Sequence, residues 1–229
     1  MVKKTLISTI GLFLAVGSFT LTAQDLLFSS KEIRLRTNPV ALLEKEAGIM
    51  LGVNYRWHRR WSFTADPTFI FFTIHRNENG EFDKPLGLKL KADIRYHIHD
   101  FILGFSDAFI SPEAVFTHVT TYKNTTFGIN CVGGNCDYYM HSTYREIKTE
   151  KGMAIKIGIE EPISRWTDKW RLELFAGLGI SFFKIIEKDI PPNGVFLQPP
   201  VYQNGITVIR EGEPNITIPA GLKISFRIR

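Results

Sequence analysis

The chain has 229 residues, 44% of them hydrophobic and 22% charged, with a formal net charge of +5 and two cysteines. Its mean hydropathy is −0.03, and beyond the N-terminus no stretch nears the roughly eighteen apolar residues of a membrane helix. A bundle of membrane helices is excluded, and so is nucleic-acid binding, since no basic run is interleaved with aromatics.

Residues 1–23 read as a secretory signal peptide. Lys3 and Lys4 give a basic start, Leu6 to Leu21 is mostly apolar, and Ala23 precedes the expected cut. Residues 24–229 then form one domain. Removal of the leader takes away two lysines and no acid, so the net charge of +5 becomes +3. An N-terminal anchor is the alternative, but Ser8, Thr9, Gly17 and Ser18 interrupt the apolar run. An exported chain meets an oxidising compartment, which favours a disulfide between Cys131 and Cys136.

The mature chain is dominated by a period of two, the mark of strands with one apolar face. Ile33 and Leu35 alternate with Arg34 and Arg36. After Pro39 to Ala47, Ile49, Leu51, Val53, Tyr55 and Trp57 alternate with Met50, Gly52, Asn54 and Arg56. His58-Arg59-Arg60 is a turn. Trp61, Phe63, Ala65, Phe69 and Phe71 then oppose Ser62, Thr64 and Asp66, with a bulge expected at Pro67, which cannot donate to a ladder.

Leu86 to His97 is the cleanest strand. Leu86, Leu88, Leu90, Ala92, Ile94 and Tyr96 face Gly87, Lys89, Lys91, Asp93, Arg95 and His97. A connection over His99 to Asp107 and a weaker strand over Ala108 to Thr121, carrying Glu113 and Thr117, follow. Tyr122 to Glu150 reads as a long loop holding both cysteines. Met153, Ile155, Ile157 and Ile159 then oppose Ala154, Lys156, Gly158 and Glu160. Leu172 to Phe182 opposes Arg171, Glu173, Gly177, Gly179 and Ser181. Glu187 to Pro214 is a second long loop, within which Gly205 to Arg210 could extend a hairpin. The last stretch, Ile216 to Arg229, reads as one strand, with an apolar row from Ile216 to Ile228 and Lys223 and Arg227 on the other face.

The count is about eight strands, the smallest typical number for an outer-membrane barrel. The reading is an all-β, eight-stranded, antiparallel, up-and-down transmembrane β-barrel, since tilted strands cross a bilayer in about nine to eleven residues. Short and long connections alternate, as periplasmic turns and external loops do. Trp57, Trp61, Trp166 and Trp170 all flank expected periplasmic turns, as an interfacial aromatic girdle would. The inward charges would be Arg34, Arg36, Arg56, Lys89, Lys91, Arg95, Lys156, Arg171, Lys223 and Arg227 against Asp66, Asp93, Glu113, Glu160 and Glu173. In so narrow a lumen they form either a salt-bridged plug or an anion path or anionic-ligand site.

His97 and His99 share a strand face, a spacing that could hold metal. Without a Cys, Asp or Glu beside both, a solvated strand end is the simpler reading. No local His-x-Ser arrangement suggests a lipid-modifying enzyme. No catalytic, cofactor or metal site is expected.

Leu35-Arg-Thr-Asn38, Gly52-Val-Asn-Tyr-Arg56 with Arg59-Arg-Trp-Ser62, Asp93-Ile-Arg-Tyr96 and Pro219-Ala-Gly-Leu-Lys-Ile-Ser-Phe226 resemble a family of small, mostly uncharacterised outer-membrane β-barrel proteins, similar in plan to the OmpA membrane domain and OmpX. The chain departs from the usual ending on an aromatic, closing on Ile228-Arg229. The resemblance implies an outer-membrane location in a Gram-negative-type cell and a monomer surrounded by lipid and lipopolysaccharide. It implies no active site. The expected role is structural or interactive, through the external loops and with an envelope protein as partner. The alternatives are a narrow anion channel, an accessory barrel of a secretion or assembly complex, and a lipid-modifying enzyme.

Overall fold

The computed structural model describes residues 31–44, 46–73, 84–99, 107–133, 135–164, 167–197, 203–204, 207–208 and 214–228. The leader, Trp166, most of the 99–107 connection and most of 205–210 lie outside them.

Eight long strands carry the fold: β1 (Glu32–Thr37), β2 (Glu46–His58), β3 (Trp61–Thr73), β4 (Lys84–His99), β5 (Asp107–Ile129), β6 (Tyr138–Ser164), β7 (Thr167–Lys188) and β8 (Ala220–Arg227). Each pairs antiparallel with its chain neighbour, and β8, which pairs β7 from Ala220 to Phe226, also pairs β1. The antiparallel sheet therefore closes into a ring. Closure removes the unpaired edges that an open sheet would present to another chain.

Alternation decides which face is which. Arg34, Arg36, Asn54, Ser62, Thr64, Asp66, Asp93, Arg95, Lys156, Glu173 and Lys223 are buried. The intervening Leu51, Leu86, Met153, Ile157 and Leu178 are 62–77% exposed. Polar side chains thus line the inside of the ring and apolar ones cover its outside, the reverse of a protein folded around a hydrocarbon core. No described helix is long and apolar enough to cross a membrane.

The β1–β8 seam is the shortest, from Arg34 opposite Arg227 to Thr37 opposite Ile224, with one further bond from Ile228 N to Ile33 O. Beyond it the chain makes a 3-10 turn, Pro39–Leu43. Asn38 starts that turn by accepting a hydrogen bond from Val40 N at 3.0 Å. Pro39 sits at its first position, where a missing N–H costs no bond.

Three expectations are corrected. The Pro67 bulge is absent. β3 keeps one register against β4 through Pro67, opposite Leu90, and the irregularities lie instead at Ala47/Gly48 and Arg56/His58. The segment 122–150 is not a loop. The β5–β6 ladder runs on from Tyr122 opposite Arg145 to Ile129 opposite Tyr138. There the hairpin stands clear of β4 and of most of the ring, so no long apolar face runs along it, and Thr and Tyr suit its partly wet strands. The last strand is not continuous either. Asn215–Thr217 pairs with β7, pairing lapses at Ile218 and Pro219, and β8 resumes at Ala220. Pro219 cannot donate there.

The hairpin has a core of its own. Phe127, Ile129 and Tyr144 are buried, with Met140, Ile190 and Phe196 against them. Phe196 comes from the second long connection, where Gly194–Phe196 pairs with β5. At the tip Cys131 and Cys136 are disulfide-bonded. Gly128 lies beneath, where a Cβ would come within 2.5 Å of Cys136 Sγ and 2.6 Å of Cys131 Sγ.

Candidate functional site

The chemistry-bearing groups gather inside the ring. Its centre is Arg95, 0% exposed. β4 aims it inward two residues from Asp93. Its Nε donates to Asp93 Oδ1 at 2.8 Å and its Nη1 to Glu160 Oε1 at 2.9 Å. Nη1 and Nη2 together donate to the two oxygens of Glu173 at 2.8 and 3.0 Å. A planar guanidinium is the one side chain that can serve three carboxylates so.

The neighbours interlock with it. Lys156 Nζ donates to Asp93 Oδ2 at 2.7 Å and to Glu113. Lys223 Nζ donates to Asp66 Oδ2 at 2.6 Å. Arg36 bonds Glu173 and stands 3.8 Å from Asp66. Taking an ion out of water costs several kcal/mol even after relaxation, so a buried charge persists only with such partners.

Aromatic rings complete the packing. Arg95 lies over Phe109 at 4.3 Å, and Lys156 and Lys223 flank Phe175 at 5.1 and 4.8 Å. Space for these rings comes from glycine. A Cβ on Gly158 would stand 2.4 Å from the Phe109 ring, and one on Gly221 would stand 2.9 Å from Phe175.

Toward the end with the tight turns, Arg56 donates to Asp107 at 2.7 Å, and Arg171 reaches the same carboxylate at 3.3 Å. Arg34 pairs with Glu32, and Arg227, more exposed at the rim, stands 3.9 Å from Glu32. Toward the hairpin end Lys89 donates to Glu44 at 2.7 Å. Lys91 faces inward but makes no ion pair among the described residues. Of the expected inward charges, Arg36, Arg56, Asp66, Asp93, Arg95, Glu113, Lys156, Glu160, Arg171, Glu173 and Lys223 are linked in one network, whereas Arg34 and Arg227 meet Glu32 and Lys89 meets Glu44. Sequence reading missed Glu32, Glu44, Asp107 and His97 as members. Asp107 was assigned to a connection, and only its pairing opposite Glu160 shows that it opens β5.

His97 also corrects an expectation. It is no solvated strand end but 1% exposed. Its Nε2 lies 2.8 Å from Ser62 Oγ and its Nδ1 3.0 Å from Asp107 Oδ1. In the tautomer with Nδ1 protonated, Nδ1 donates to Asp107 and Nε2 accepts from the Ser62 hydroxyl; Arg56 Nη2 also stands 2.9 Å from Nδ1. Those are the distances of a nucleophile, base and orienting acid. Ser62, however, is 0% exposed and also contacts Asn54 at 3.3 Å. Asp107 is held by two arginines besides. With no access to its oxygen, the trio serves as a polar clasp across β3, β4 and β5. A fluorophosphonate probe is expected to leave Ser62 unlabelled in the folded protein. Mass-spectrometric detection of an adduct that Ser62→Ala abolishes would reassign the trio as catalytic.

Of the four tryptophans, Trp57, Trp61 and Trp170 are 37–48% exposed on the outside at the tight-turn end, and Trp166 lies outside the described residues. Trp61 packs edge-on to Tyr96 at 5.1 Å and Trp170 against Phe226 at 4.8 Å. They form a partial belt at one level.

No family model, curated protein or solved structure matches this chain.

Proposed function

We propose that the protein is an integral outer-membrane β-barrel with a sealed lumen, exported through its N-terminal leader, whose role is to present the β5–β6 hairpin outside the cell. One observation carries the reading: the ring is apolar on its outer face and charged within. Such a surface is stable when hydrocarbon covers it.

Further features agree. β5 and β6 have 23 and 27 residues, against the about nine to eleven that cross a bilayer. The surplus puts the disulfide-tipped hairpin beyond one interface, and the tryptophans mark the other. On the hairpin Tyr138, Tyr139 and Val132, and beside it Val195, are all more than half exposed. Exposed aromatics on a rigid arm suit contact with an envelope or extracellular protein. The interlocked Arg95, Lys156 and Lys223 leave no open bore at their level, which weighs against conduction.

Planar-bilayer recording and photo-crosslinking together test this. The expected results are no stepwise conductance, protein adducts from a photoreactive residue at Tyr139, and lipid adducts from one at Leu86. Stable channels, with no protein adduct at Tyr139, would reject the sealed display arm.

A further inference from the structure

Above the Arg95 layer, on the hairpin side, the inside of the ring is not filled. Opposite Lys89 and Lys91 of β4, the inward positions of β6 and β7 are Gly152, Ala154, Gly177, Gly179 and Ser181. Of these, Gly152, Ala154 and Ser181 border a cavity of about 400 Å³. That is within the roughly 300–1,000 Å³ of small-molecule sites.

Its polar lining is incompletely paired. Thr117 Oγ1, Ser181 Oγ and Glu113 Oε1 are buried and have no hydrogen-bond partner among the described residues, on side chains of residues 1%, 3% and 3% exposed. A buried polar group left unsatisfied costs about 1–3 kcal/mol, so each such group calls for a ligand or ordered water. Lys91 lines the same cavity. Arg34, Arg36, Arg56, Lys89, Arg95, Lys156, Arg171 and Lys223 each have a carboxylate within 4.0 Å. Lys91 does not. It feels Glu44 at longer range, but Lys89 already holds that carboxylate at 2.7 Å.

The ladder sets these groups in one patch. Lys89 is opposite Thr117, which is opposite Glu150. Lys91 is opposite Val115, Val115 opposite Gly152, and Gly152 opposite Ser181. Glu113 is one inward step below Val115. The missing complement is therefore an anion for Lys91, joined to hydroxyl groups that donate to Glu113 Oε1 and exchange hydrogen bonds with Thr117 and Ser181.

We propose that this cavity binds a phosphate ester of a small polyol. A bare anion would satisfy Lys91 and leave Glu113 Oε1 without a donor, and a neutral sugar would do the opposite. Such an ester occurs free in solution or as the headgroup of a glycerophospholipid. Outward-facing Ile216 and Ile218, beside the lapse at Pro219, also border the cavity, so the wall is weakest where a lipid would have to enter.

The test uses the full mature chain in detergent, titrated calorimetrically with glycerol 1-phosphate, glucose 6-phosphate and micellar phosphatidylglycerol. Inorganic phosphate and glucose are the comparison ligands. Saturable binding of at least one ester class is expected, tenfold or more tighter than either comparison ligand. Response to phosphatidylglycerol alone assigns the lipid headgroup, and response to the soluble esters assigns a diffusible ligand. Lys91→Met is expected to weaken binding at least tenfold and Thr117→Val with Ser181→Ala at least threefold, whereas Lys91→Arg stays within threefold of the parent. Heat-dependent gel mobility checks that each variant is folded. Absence of ester binding, inorganic phosphate binding as well as the esters, or a folded Lys91→Met variant binding like the parent would overturn the proposal. The site rests on the closed ring and not on the display role, so failure of the cross-linking test leaves this one standing. The soluble-ester arm can be read with or without a membrane.

Discussion

Arg95→Met is expected to lower stability by about 3–5 kcal/mol, the usual cost of removing one partner from a buried ionic network. The substitution keeps most of the side-chain volume but strips four charge-assisted hydrogen bonds from Asp93, Glu160 and Glu173 at once. Asp93 retains Lys156, and Glu173 retains Arg36, which sets the limit on the loss. Glu160 keeps Arg56 and Arg171, each at 3.6 Å. Urea unfolding in lipid vesicles, followed by tryptophan fluorescence, measures the change. Adding Glu173→Gln to Arg95→Met should cost less than the two separate losses summed, by about 0.5–3 kcal/mol, because the two groups share one interaction. Lys91→Met, which breaks no ion pair, should stay within about 1 kcal/mol of the parent. Equal losses for Arg95→Met and Lys91→Met would mean that the interior is wet and the ion pairs do not hold the wall.

Ile157→Arg is expected to cost about 2–4 kcal/mol, the price of a basic side chain near the middle of a bilayer on the outside of a barrel. Ile157 is 63% exposed and lies five residues along β6 from Pro162, which is opposite Arg171 beside Trp170. In water an equally exposed site would tolerate the change within about 0.5 kcal/mol. Tyr139, 61% exposed on the hairpin, provides that comparison. Tyr139→Arg should be nearly neutral in the same vesicles. Two sites with the same exposure and opposite tolerance would be hard to explain except by a change of solvent along β6.

The alternation made much of the ring legible in the sequence. Ile49 to Trp57, Leu86 to Tyr96 and Leu172 to Phe182 each have one face to satisfy apolar surroundings and one to satisfy polar ones, so the period of two is undiluted. The disulfide was legible for a different reason: two cysteines, close in sequence, have no other partner of their kind. The extension of β5 and β6 was not visible, because Lys123 to Thr126 and Tyr139 to Thr143 carry few apolar residues, and the small core of Phe127, Ile129, Met140 and Tyr144 is too short to set a period of two. The break at Ile218 was hidden by an apolar row that continues through it unchanged. Charge identity was legible while charge pairing was not. Lys223 finds Asp66 across 157 positions and Arg36 finds Glu173 across 137, and no local spacing encodes partners that only ring closure brings together. His97 and Asp107 show the same limit at 10 positions' separation, since the intervening segment gives no sign that both ends turn inward.

The central claim is that hydrocarbon, not water, covers the exposed row of Leu51, Leu86, Met153, Ile157 and Leu178. The most direct measurement is to refold the mature chain with and without detergent and compare sedimentation and circular dichroism. A monodisperse, strand-rich species only in detergent or lipid, with aggregation in plain buffer, is the expected result. A monodisperse, cooperatively folded monomer in plain buffer would contradict the account.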